Sequence, residues 1–393
     1  MIPELRRQFN AEWKPERYAE FLRRLDDVAG THVAFRCCET PVFLPKPLLD
    51  TMVRYGRELY DQLASNQQYL AASAATIPPE FRVPDEPQHP LFVQADFGLV
   101  RDSTTGEFEP KLVEIQGFPS LYAFQPALAD VYREVYSLDS NLQSLLGGLD
   151  QAGYLRLLRR AIVGDNDPEE TVLLEIQPLQ QKTLCDFLLS EKLLGIRAVC
   201  VSDVEKRGRE LYAGGKRIRR IYNRVIVDEL VRKRPPMNFR FTDDLAVEWA
   251  GHPNWFFRLS KFSLPWFRHV CVPPTFFLND MPELPANLDE YVLKPLYSFA
   301  GLGVQIGPSA EAIAAIPMNE RANYILQEKM DFVPTVETPV GATKIEVRIM
   351  YIWDNELKPV TTILRTGRGQ MMGVDFNKNL DWVGASAGFY LPE

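Results

Sequence analysis

Residues 291–307, reading YVLKPLYSFAGLGVQIG, constrain this chain more than any other stretch. An apolar run from 291 to 296 carries Lys294, a loop with Ala300, Gly301 and Gly303 follows, and a second apolar run covers 304–306. Pro308 and Ser309 come before the next helical pattern, so the glycines lie between two strands and not at a helix N-terminus. That order excludes a dinucleotide fingerprint and a Walker A loop, which both run from strand into helix. A glycine hairpin can lie over phosphates, because backbone N–H groups without side chains beside them approach oxygens closely. The same residues also fit a plain hairpin with a strand lysine.

A phosphate ligand would need a local basic cluster, because the chain as a whole does not attract anions. Its 44 Lys and Arg stand against 52 Asp and Glu, a formal charge of -8, which argues against nucleic acid or an acidic membrane surface as partner. Five scattered cysteines without CxxC spacing argue against a disulfide framework, and no apolar run reaches signal-peptide or membrane-spanning length. The expectation is a cytoplasmic protein of 393 residues, 46% of them hydrophobic, in several domains. Its oligomeric state is not legible.

Periodicity divides the chain. Residues 1–90 read as an N-terminal helical segment, with Leu49, Met52, Val53, Leu59, Tyr60 and Leu63 near 3.6-residue spacing. Residues 91–165 read as a hairpin followed by a helix. Residues 166–235 alternate strand, helix and strand, then turn at Gly214 and Gly215 into a strand from 220, as in a small parallel-sheet domain. From about Arg240 the chain reads as helical, then as strand-rich to its end, so 236–393 form the last unit. The class is α+β with an α/β component.

Three further features bear on chemistry. In the hairpin LFVQADFGLVRDSTTGEFEPKLVEIQ, a turn centred on Thr105 sets Asp96 opposite Glu114 and Gln94 opposite Gln116. The other face then carries Val93, Ala95, Phe97, Leu99, Val113 and Ile115 for a core. Two opposed carboxylates repel unless something positive lies between them, and magnesium is a natural candidate, although an exposed polar face would also fit. The run YILQEKM, ending in Gln327, Glu328 and Lys329, suits an adenine hinge, as it suits many buried strands. Lys261, Glu346 and Arg348 in KIEVRI, and Arg365 and Arg368 in ILRTGRG supply charge, the guanidinium fork being well matched to phosphate.

These pieces, in this order, resemble the circularly permuted ATP-grasp family, and in particular the synthetase domain of glutathionylspermidine synthetase. The resemblance covers roughly 90–393. It implies an ATP-grasp fold with a small pre-ATP-grasp-like domain at 166–235. It also implies ATP held by Lys261, Lys294, Gly301, Gly303, Gln327 and Glu328, with Mg2+ held by Asp96, Glu114 and Gln116. Arg365, Lys294 and Arg348 are the candidates for catalysis. The implied activity is ATP- and magnesium-dependent joining of a small-molecule carboxylate to an amine through an acyl phosphate. Gln116 stands where the family has asparagine, and Gln94 where it has an arginine that contacts substrate. Those departures motivate the alternative, a nucleotide-binding or scaffold protein that keeps the fold without turnover.

Overall fold

The computed structural model describes residues 1–298, 301–373, 377 and 379–392; Ala300 of the glycine loop lies outside them. The fold is a mixed α/β arrangement built around one twisted antiparallel sheet. Its strands run in the order Gly384–Ser386, Leu357–Gly367, Lys344–Trp353, Phe92–Arg101 and Phe108–Gln116. A chain segment near the end therefore pairs directly with the first long hairpin, Arg348 lying opposite Asp96.

One face of this sheet is apolar along its length. Val93, Ala95, Phe97, Leu99, Leu112, Ile115, Ile345, Val347 and Ile349 are fully buried there, against Leu49, Met52, Leu59 and Leu63. Those four share a stripe of the helix Lys46–Ala64, as the 3.6-residue spacing predicts. The opposite face changes character along the strands. At one end Phe92, Met350 and Ile363 pack on the helix Gln151–Ile162, whereas at the other end the side chains are polar.

The first hairpin keeps the expected register, Gln94 with Gln116 and Asp96 with Glu114, and then slips by one residue, so that Phe97 pairs with Leu112. Val113 is the bulged residue, and Leu112 takes the core position expected for it.

Strands Thr171–Glu175, Arg197–Cys200 and Arg220–Asn223 form a parallel sheet with the helix Leu184–Leu194, as read from the pattern. The region after Arg240 differs from the expectation of helix. Strand Glu248–Ala250 adds to that sheet in parallel, and the short helix Trp255–Arg258 and the 3-10 turn Lys261–Trp266 follow. The dense aromatics there, among them Trp255, Phe256, Phe257 and Phe262, mimic a helical stripe, while Pro253 and Pro265 restrict it.

A second antiparallel sheet orders Thr275–Phe277, Tyr324–Glu328, Tyr291–Pro295 and Gln305–Ile306. Its inner face places Ile325 in the main core, and its outer face packs Leu293 and Leu326 on Ile313. Among the described residues, no helix is long and apolar enough to cross a membrane.

Candidate functional site

The polar end of the central sheet meets the inner face of the second sheet, and most of the residues singled out above converge there. Directly opposed residues on antiparallel strands share a face, so Asp96 and Gln94, Glu114 and Gln116, Arg348, and the pair Glu346 and Arg365 all project from one side. Across from them, Lys294 projects from Tyr291–Pro295 and Lys261 from the start of the 3-10 turn.

Arg348 is the hub. Its guanidinium donates from Nε to Asp96 Oδ1 and from Nη2 to Asp96 Oδ2, and from Nη1 to Gln94 Oε1 at 2.9 Å. The Gln116 amide donates from Nε2 to Gln94 Oε1 at 2.9 Å; turned over, it gives up that bond and its oxygen accepts instead from Arg348 Nη1 at 2.8 Å and Nη2 at 3.0 Å. Glu114 Oε1 lies 3.9 Å from Nη2. Burial disfavours the charged guanidinium, but Asp96 outweighs it by charge and hydrogen bonding and holds the proton more firmly than usual. Arg365 pairs with Glu346 and lies 3.7 Å from Asp96 Oδ2. The positive group between the two opposed carboxylates is thus the chain's own arginine.

The lysines tie the two sheets together. Lys261 Nζ donates to Ser298 O at 2.6 Å and lies 3.4 Å from Glu114 Oε2, so it links the base of the glycine loop to the acidic centre. Lys294 Nζ donates to Gln327 Oε1 at 2.6 Å and to Val113 O at 3.3 Å. The bulge has a role here: it leaves the Val113 carbonyl outside the ladder, where a lysine from the other sheet can reach it. Burial lowers the Lys294 pKa to about 8, against the opposing pull of Glu114. Burial alone would raise the Glu114 carboxyl, but Lys261, Arg348, Lys294 and Arg365 together hold it below its ordinary range. Burial raises Glu346 even though Arg365 pulls the other way.

The expected hinge is arranged differently. Gln327 is buried, and its amide is spent on Lys294 and on Thr275 Oγ1 at 2.9 Å; Glu328 points to solvent. The Glu328 N–H donates to Pro274 O, and the Lys329 N–H to Glu290 O. An adenine edge would therefore have to use other groups of this segment.

Gly301 and Gly303 have φ of 75° and 73°, in the left-handed region, and the loop joins Tyr291–Pro295 to Gln305–Ile306 as a strand-to-strand hairpin. Phe332 was not anticipated. Its ring lies on Gly98, where a Cβ would come within 2.0 Å of it, and so covers the end of the polar face. The glycine within DFGL was the one available signal. The cavity beside Glu114, Gln116, Lys261 and Ser298 holds about 20 Å³, room for one water molecule.

No family model matches the sequence, and no curated protein does. A solved structure of a glutathione synthetase like-effector (GSS30) from Globodera pallida, in apo form, matches with a TM-score of 0.58 at 11% identity. The match covers 98% of this chain and 99% of that one, so the two share a fold over nearly their whole length.

Proposed function

We propose that this chain is an ATP- and magnesium-dependent ligase that joins a carboxylate to an amine on small-molecule or peptide-like substrates, in the cytoplasm. The fold is read as a permuted ATP-grasp, with 91–165 and 236–393 forming the nucleotide site, 166–235 the small accessory domain and 1–90 the helical support. One observation carries the reading: Lys261 and Lys294, from separate elements, close on Glu114 and Val113, and Lys261 also holds Ser298 O at the start of the loop that carries the left-handed Gly301 and Gly303. Cations from two elements that meet a carboxylate-bearing sheet face beside a glycine loop suit a polyphosphate better than a core.

In this reading Lys261, Lys294, Arg348 and Arg365 bind and orient the phosphates, and the hairpin excludes water above them. The γ-phosphoryl group passes to a substrate carboxylate oxygen, giving an acyl phosphate and ADP. The amine then attacks the acyl carbon and phosphate leaves, so catalysis is mainly positioning and charge stabilisation. Asp96, Glu114 and Gln116 offer the hard oxygen donors that magnesium takes and would hold it, the ion supplying neutralisation of phosphate charge. The experiment is ADP release in mixtures of carboxylates and amines, with hydroxylamine present to trap an acyl phosphate. Release that requires the carboxylate together with either the amine or hydroxylamine, the latter giving a hydroxamate, supports ligation, whereas phosphate retained on the product would indicate a kinase instead.

A second reading, nucleotide binding without turnover, is favoured by Arg348, which engages Asp96, Gln94 and Gln116 together. Tight ATP binding with no ADP release under any mixture would select it.

A further inference from the structure

We propose that Arg348 is a latch on the acidic centre: it keeps divalent cations off Asp96 and Gln116 until phosphate oxygens take its guanidinium. This rests on the nucleotide reading above and adds an order to it. Both Asp96 oxygens accept from this one side chain, the Gln116 oxygen lies against two of its nitrogens, and Glu114 is at its edge. The oxygens best suited to a hard cation are therefore already facing donors. Among the described residues, no three His, Cys, Asp or Glu side chains are grouped so that they could hold a metal ion.

Charge gives the latch its direction. Lys261, Lys294, Arg348 and Arg365 face Asp96, Glu114 and Glu346, four cationic groups against three carboxylates. A divalent cation arriving alone would add positive charge to a centre that already has an excess, and would strand a buried guanidinium. A polyphosphate reverses both costs. It brings negative charge, and its planar pairs of oxygens match the fork that now grips Asp96. Arg348 is 6% exposed, so it cannot swing to bulk water and needs such a partner to let go. It thereby acts as a positioning residue that couples metal entry to nucleotide entry.

The test uses the full chain and Mn2+ as probe, with bound metal read by electron paramagnetic resonance. Wild type should retain little Mn2+ alone and much more with a non-hydrolysable ATP analogue. Arg348→Gln should bind Mn2+ without nucleotide, by about a hundredfold more tightly than wild type, and adding Asp96→Asn should erase the gain. If Arg348→Gln does not fold, Arg348→Lys, which loses the fork but keeps a charge, should show a smaller gain. Wild type binding Mn2+ unaided as tightly as the folded variant overturns the latch. A Mn2+ gain in the variant while no nucleotide binds to either protein sinks the nucleotide reading and leaves Arg348 as the group that excludes metal. Nucleotide binding with no Mn2+ gain does the reverse.

Discussion

Lys294 Nζ donates to Gln327 Oε1 at 2.6 Å, and both side chains are buried at the junction of the two sheets. A strand residue expected to meet an adenine instead fixes the Lys294 ammonium, which also donates to Val113 O. Lys294→Ala should lower turnover by about a hundredfold, the scale of losing one transition-state donor. Gln327→Leu should lower it less, through misplacement of the lysine. ADP release assays decide this, and a near wild-type rate for Lys294→Ala would remove that residue from the mechanism.

Gly303 has a left-handed backbone, and a Cβ there would lie 2.9 Å from Pro295 Cγ. Gly303→Val should weaken nucleotide binding while the protein stays folded, because the strain falls in an exposed hairpin and not in either core. Unchanged affinity by calorimetry in a folded variant would make this loop an ordinary turn.

Removal of Glu114 shows how the sequence and the structure diverge. Two opposed carboxylates considered alone predict that deleting one relieves repulsion. With Lys261 at 3.4 Å and Arg348 beyond it, Glu114→Ala instead leaves four cations facing two acids. The variant should lose on the order of 1–3 kcal/mol, the cost of leaving donors without their acceptor, which is less than for a fully buried ion pair because the Glu114 side chain is partly exposed. Chemical denaturation measures this, and an equal or higher stability would mean that the cations do not support Glu114.

That sign could not be derived from the hairpin because the decisive residue comes from far along the chain. The Asp96–Glu114 pairing is expected from a turn centred on Thr105, yet the pairs beside the turn, Arg101–Phe108 to Phe97–Leu112, run one residue short of that register, and the Val113 bulge restores it. Arg348 reaches Asp96 from 252 residues away, and nothing in KIEVRI specifies which strand it will pair with. The Val113 bulge was equally silent: an extra residue in one strand leaves no mark in a pattern of alternating side chains. Lys294 before its glycine loop was legible because both lie in one hairpin. The covering ring of Phe332 was not, for it arrives through a loop with no periodic signal.

Glu175 offers a test of the accessory sheet. It is buried at the end of Thr171–Glu175, and burial pushes its carboxyl up to about 8, against the Ile176 N–H and Arg224, with Glu229 adding to the rise and Lys233 opposing it. The unfolded chain ionises near 4.5, so between the two values the folded state carries one proton more. Stability should therefore fall as pH rises from about 4.5 towards 8 and level off beyond, by a few kcal/mol at most. Glu175→Gln should flatten that slope. Melting curves at pH 5 and 8 that shift equally in both proteins would contradict the assignment.

The most direct test of the account is the electron density of crystals soaked with magnesium and a non-hydrolysable ATP analogue. The account predicts a triphosphate between Lys261, Lys294 and Arg365 beneath Gly301 and Gly303, with Arg348 turned from Asp96 towards phosphate and the metal beside Asp96 and Glu114. A nucleotide bound elsewhere, or an unchanged Arg348–Asp96 pair beside a fully occupied nucleotide, would contradict it.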